Sequence, residues 1–223
     1  MAPRLGTLFD FNGVLVDDEH LHHLAMAEVV APLGVALGRD DYFGRYFALD
    51  DAGAFRAILE DAALDASADR VDALVDAKKP VYLAHAHRAE LFAGGAELVR
   101  ACAAAGPVVI VSGALRHEIE LILGRMGARE HVLAIVSAED TARCKPDPEG
   151  YLRGSELARV AGAEVLVAIE DSPGGVRAAR AAGLEVVAVL HSVSEASLRE
   201  AGAGRVVRAV GELDVPTLAA LAR

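Results

Sequence analysis

The chain has 223 residues, room for one large domain or two unequal ones, and with 53% of them apolar a sizeable core is readily buried. Its 22 Lys and Arg against 33 Asp and Glu leave a formal net charge of −11, which argues against nucleic acid or an anionic membrane surface as partner. Cys102 and Cys144 form no CxxC pair, no apolar run approaches the roughly 18 residues of a spanning helix, and the start MAPRLGTLFDF does not read as a signal peptide. These features predict a cytoplasmic protein with reduced thiols.

Taken in chain order, the first apolar run is Leu5 to Phe11. Four more follow: Val108 to Ser112, Leu133 to Val136, Val165 to Ile169 and Val186 to Leu190. All are rich in Val, Ile or Leu and lack polar alternation, the pattern of strands covered on both faces. Helical patterns lie between most of them. Glu97 to Ala105 is closed by Gly106 and Pro107, Leu115 to Met126 is stopped by Gly127, and Pro173 to Ala182 is capped by Ser172 and ended by Gly183. Strands alternating with helices predict an α/β fold with a doubly wound parallel sheet.

From about Glu19 to His87 the alternation stops. Leu21 to Leu33, Ala52 to Ala63 and Val71 to His87 read as helices with no strand among them. The expected organisation is a core of residues 1–16 and 89–223, interrupted by a helical cap of residues 17–88. Such a block is longer than an ordinary crossover needs. It is expected to act as a lid at the sheet edge where ligands bind in open α/β sheets.

Four segments fall at strand ends. In Phe9-Asp10-Phe11-Asn12-Gly13-Val14-Leu15-Val16-Asp17 a carboxylate ends a strand, and Gly13 allows a tight turn that presents N–H groups to an anion. In Val109-Ile110-Val111-Ser112-Gly113-Ala114 a hydroxyl and backbone N–H groups at a helix start suit a phosphate. In Cys144-Lys145-Pro146-Asp147-Pro148 the lysine precedes proline and is biased to extended backbone, from which its ammonium reaches out as a point charge. In Val167-Ala168-Ile169-Glu170-Asp171-Ser172-Pro173-Gly174-Gly175 two acids end a strand directly before a helix. With Asp10 they would form an oxygen-rich set suited to Mg²⁺. Each segment alone has a blander explanation, as a solvated acid, a helix cap or a surface lysine.

In this order and at these positions the four segments resemble the haloacid dehalogenase superfamily over essentially the whole chain. The likeness is closer to the subgroup with a small helical cap, which holds beta-phosphoglucomutase-like enzymes and many sugar-phosphate phosphatases. The resemblance implies a Mg²⁺-dependent phosphohydrolase acting on a small phosphorylated metabolite. Oligomeric state is not readable from the sequence, and a monomer is the default expectation. Asp10 would be the nucleophile and form an aspartyl-phosphate. Asp10, the Asn12 backbone carbonyl and Asp171 would hold Mg²⁺, with Glu170 a direct or water-bridged ligand. Gly13, Val14, Ser112, Gly113, Ala114 and Lys145 would hold phosphate oxygens. In the cap, His22 and Lys78 match residues that such enzymes turn to the substrate. Lys79 is the fallback for Lys78, and His20 and His23 are expected at the surface.

One position departs from the pattern. The family usually carries a second aspartate two residues after the nucleophile, as general acid and base. Here it is Asn12, whose amide exchanges no proton at useful pH. Three readings stand: a hydrolase using good leaving groups or another donor (His22, Asp17 or Asp18); a weak or inactive homologue that retains ligand binding; or an Asp-to-Asn change made to trap a complex. The phosphomutase reading is weakened twice. It needs the proton transfer in both half-reactions, and the cap segment Tyr46 to Asp51 offers Asp51 where the mutases carry a basic residue. The Glu170-Asp171 pair argues against the metal-free dehalogenases. A phosphonate-cleaving relative would need a cap lysine, which Lys78 or Lys79 leaves open.

Overall fold

The computed structural model describes residues 3–47, 49–191 and 193–222. The chain divides into two compact units, one running to Asp17 and resuming at Leu91, the other spanning Asp18–Glu90. The two-residue strands β2 (Val16–Asp17) and β3 (Glu90–Leu91) mark the two crossings between them.

The larger unit is built on a six-stranded sheet of β1 (Leu5–Phe9), β4 (Val108–Val111), β5 (Ala134–Val136), β6 (Val165–Glu170), β7 (Glu185–Val189) and β8 (Arg205–Val207). The order is β5-β4-β1-β6-β7-β8, and every neighbouring pair is parallel. Thr7 lies between Val108 and Val167 in register, so β1 is central. Its five residues are all buried. At about 1.5–3 kcal/mol for each large apolar side chain removed from water, such strands must be covered on both faces. The cover comes from α5 (Gly95–Ala105), α6 (Arg116–Arg125), α7 (Glu149–Val160), α8 (Pro173–Ala181), α9 (Glu195–Glu200) and α10 (Val215–Leu221). Helices α7 and α8 touch each other, as do α5 and α10, and each pair packs on the sheet. This is the α/β class expected, with a doubly wound parallel sheet.

The apolar runs locate five strands to within two residues. Strand β8 escapes because it is a three-residue edge strand with only Val207 buried, too short and too exposed to form an apolar run. Helix α7 has no sharp sequence boundary beyond the prolines before it. Helix α8 forms as expected: Ser172 accepts from the Gly175 N–H at 3.0 Å, Pro173 occupies the first turn, and Gly183 follows with φ of 82°.

The winding reverses at β1. The chain fills the β4 and β5 side first, then crosses back to β6, β7 and β8. A reversal opens a crevice at the C-terminal ends of the strands flanking it, here between β1, β4 and β6.

The smaller unit holds α1 (Glu19–Val30), α2 (Arg39–Asp41) continuing into a π-helical turn over Tyr42–Tyr46, α3 (Asp51–Asp61) and α4 (Ala68–His85). Met26, Val30, Phe55, Ile58, Leu59 and Val71 form its core. Ala48, within the segment noted for Asp51, lies outside the described residues. No helix among the described residues is long and apolar enough to cross a membrane.

Candidate active site

Strand pairing assembles the site. The Asp10 N–H donates to the Ile169 carbonyl at 2.8 Å, extending the β1–β6 ladder past the end of β1. The two residues after Ile169 are Glu170 and Asp171, so register alone sets three carboxylates side by side. Oxygens of Asp10, Glu170 and Asp171 all lie within 4.8 Å of one another. The residues are 7%, 0% and 6% exposed. Ser112 reaches the same edge from β4, where its N–H continues the ladder to the Val136 carbonyl at 2.9 Å.

Lys145 joins the set from the loop before α7. Its Nζ lies 2.6 Å from Asp10 Oδ1 and 2.6 Å from Glu170 Oε1. Burial and the nearby Glu170 charge push the Asp10 carboxyl up to about 7, against the pull of Lys145. Burial lowers the Lys145 pKa, but the Asp10 and Glu170 charges outweigh it and hold the ammonium above its usual range.

Glu170 is committed on both oxygens. Oε1 accepts from Lys145 and from the Tyr151 hydroxyl at 2.8 Å. Oε2 accepts from the Asp171 N–H at 3.1 Å, the Ser172 N–H at 3.2 Å and the Ser172 hydroxyl at 3.1 Å. A carboxylate so saturated is an anchor for its neighbours and has little left for a direct metal bond. Tyr151 was not legible as a site residue in the sequence, where it resembles any core position of an amphipathic helix. The Lys145 Nζ stands 5.2 Å from its ring centroid, a cation–π contact beneath the ammonium. Two glycines permit these approaches. A Cβ on Gly175 would fall 1.8 Å from Glu170 Oε1, and one on Gly13, at φ of 76°, would fall 1.9 Å from Asp171 Oδ2.

The Asp10-to-Asp17 turn is closed by its own amides. The Gly13 N–H donates to the Val16 carbonyl at 2.8 Å and the Val14 N–H to the Phe11 carbonyl at 3.3 Å. The expectation that Gly13 and Val14 offer N–H groups to an anion therefore meets amides already engaged in the turn. Asn12 Oδ1 accepts from the Ser112 hydroxyl at 3.3 Å, and Ser112 Oγ accepts from the Ala114 N–H at 3.1 Å. Gly113, between them, is exposed.

The donor set fits a hard divalent cation. All three groups are buried carboxylates with oxygens close enough to share one ion, the ligand chemistry that such a cation prefers.

The smaller unit brings together its own candidates. Lys78, fully buried, places Nζ 2.7 Å from His22 Nδ1 and 2.7 and 2.6 Å from the two Asp51 oxygens. His22 Nε2 lies 3.5 Å from Asp18 Oδ2, which also takes the Tyr82 hydroxyl at 2.5 Å. Lys79 is a surface group paired with Asp76 at 2.7 Å. His20 and His23 are both half-buried, and His23 Nε2 lies 3.0 Å from the Leu37 carbonyl with its ring against Tyr42. Asp17 pairs with His191 at 3.6 Å in the larger unit. Breaking a buried ion pair leaves an uncompensated charge, so Lys78→Met is expected to lower stability by about 3–5 kcal/mol in denaturant titration.

Comparison with known proteins matches this arrangement to a family. The model for haloacid dehalogenase-like hydrolases matches residues 6–183. Hexitol phosphatase B of Escherichia coli strain K12 is 31% identical over 202 residues, covering 84% of this chain and 85% of that protein. Protein SUPPRESSOR OF QUENCHING 1, chloroplastic, of Arabidopsis thaliana is 31% identical over 216 residues, 93% of this chain, which spans only 20% of that relative's length. Among solved structures, CbbY from Rhodobacter sphaeroides in complex with phosphate superposes with a TM-score of 0.80 at 26% identity, covering 96% of this chain and 98% of that one. The chain belongs to the haloacid dehalogenase-like hydrolase family.

Proposed function

We propose that this chain is a Mg²⁺-dependent phosphatase of small phosphate monoesters, with sugar phosphates the favoured class. The observation that carries this reading is the buried trio of Asp10, Glu170 and Asp171 at the winding reversal, with Lys145 bridging two of them. Hexitol phosphatase B supports the substrate class by its name, and the phosphate complex of CbbY supports phosphate as the bound group.

Asp10 is the nucleophile in this reading, attacking phosphorus to form an aspartyl-phosphate. Asp10, Asp171 and the Asn12 backbone carbonyl would hold Mg²⁺, which supplies neutralisation of charge on the transferring group. Glu170 orients Lys145 and would act on the metal through water rather than directly. Lys145, the Ser112 hydroxyl and the Gly113 N–H bind phosphate oxygens. Asp51 makes a mutase or bisphosphate substrate less suitable, because the basic residue expected there is replaced by an acid that takes up the Lys78 charge.

A second reading keeps ligand binding without turnover, favoured by the Asn12 amide and its bond to Ser112. The test is phosphate release over a panel of small phosphate esters, with and without Mg²⁺, on this chain and on Asn12→Asp. Removal of Mg²⁺ by a chelator is expected to abolish release, and added Mg²⁺ to restore it. Release by neither protein while both stay folded would overturn the phosphatase reading in favour of binding alone. Release indifferent to Mg²⁺ would overturn the metal assignment.

A further inference from the structure

Asn12 is the single asparagine of the chain, and the sequence contains no glutamine. Carboxamide side chains hydrolyse in water and are thermolabile, and this chain lacks every one except the one beside Asp10. That one is followed by Gly13. Asparagine before glycine is the most hydrolysis-prone arrangement of a carboxamide, because no Cβ hinders the following backbone nitrogen from reaching the side-chain carbonyl. The carbonyl is also polarised. The Ser112 hydroxyl donates to Asn12 Oδ1 at 3.3 Å, where negative charge grows as Cγ is attacked. Asn12 is half-buried, so water has access.

We infer that Asn12 is a latent aspartate, converted by its own deamidation into the acid that stands two residues after the nucleophile in related hydrolases. The Gly13 nitrogen loses its proton and bonds to Asn12 Cγ. The Cγ–Nδ2 bond breaks, and Nδ2 leaves as ammonia. Water then opens the cyclic imide. Cleavage of the Cγ–N bond yields the α-aspartyl chain, and cleavage at the backbone carbonyl yields the isoaspartyl one. The sum is one water taken up and one ammonia released, with no oxidant or reductant. The Gly13 N–H is held by the Val16 carbonyl at 2.8 Å. Ring closure therefore waits on opening of this turn, and conversion in the folded chain is slower than in the unfolded one. The catalytic consequence rests on the phosphatase reading; the conversion does not.

The absence of any other carboxamide gives ammonia and mass change one source. The purified chain is held at mildly alkaline pH and physiological temperature, and followed by ammonia assay, intact mass and mapping of the tryptic peptide covering residues 5–39. Guanidinium-unfolded chain and Asn12→Ser serve as the converting and non-converting controls. The expected result is ammonia release approaching one per chain, an amide-to-acid mass change in that peptide, and an α-aspartyl product. Phosphate release should rise with the α-aspartyl fraction towards that of Asn12→Asp. A folded chain that keeps its mass while the unfolded one converts would overturn the inference, as would a purely isoaspartyl product. If Asn12→Asp itself releases no phosphate, the phosphatase reading fails, and mass and ammonia still decide the conversion.

Discussion

Asp10→Ala is expected to lower phosphate release by more than about four orders of magnitude, the scale on which loss of a covalent nucleophile leaves only residual catalysis. The side chain is placed by strand pairing, with its N–H fixed to the Ile169 carbonyl at 2.8 Å, and no other carboxylate occupies that register. Glu170 cannot substitute, since both its oxygens are already engaged. Asp171 begins the turn into α8, with Gly13 packed against Oδ2. The variant should still fold. Removing one of three crowded carboxylates relieves repulsion, and Lys145 keeps Glu170 as its partner. Thermal unfolding of the variant close to that of the parent, together with the loss of an acid-stable, hydroxylamine-sensitive phosphoryl label on the protein, would separate loss of the nucleophile from loss of structure. Full turnover by Asp10→Ala would remove Asp10 from the role.

Much of the larger unit was legible because its strands are buried on both faces and read as unbroken apolar runs. Their C-terminal ends then point to Asp10, Ser112 and the Glu170-Asp171 pair without reference to three-dimensional structure. Lys145 was legible from the proline after it, although only the fold shows that it bridges Asp10 and Glu170 at 2.6 Å to each. What the pattern could not carry is the division of labour between adjacent acids. Glu170 and Asp171 look alike in sequence, yet one is saturated by Lys145, Tyr151 and the start of α8, and the other packs against the Gly13 turn. Tyr151 gave no signal, because its hydroxyl partner is a residue of another element, nineteen positions on. Asp51 and Lys78 are 27 residues apart. Their pairing is a tertiary fact that no local sequence pattern carries. Edge strand β8 left no signal because a three-residue strand with one buried side chain is too short to register.

Asn12→Asp is expected to raise turnover by about 10² to 10⁴, the usual contribution of one positioned acid–base group. A carboxamide takes up and releases no proton in the working pH range, so the leaving alkoxide and the attacking water must otherwise exchange protons with solvent or a poorly placed group. The new carboxyl keeps the geometry. It is isosteric with the amide, and its oxygen still accepts from the Ser112 hydroxyl at the Asn12 Oδ1 position. The backbone carbonyl proposed for the metal is untouched, as are Lys145 and the Ser112–Ala114 segment. The gain should therefore fall on kcat, with KM and the Mg²⁺ requirement little changed. It should be largest for alkyl phosphates, whose leaving groups need a proton, and smallest for aryl phosphates, whose leaving groups do not. A uniform gain across both classes would mean that the substitution acts through binding or folding. No gain in either would mean that another residue passes the proton and that the amide at position 12 is no impediment. The contrast between leaving groups is thus a sharper measure of Asn12 than the rate alone.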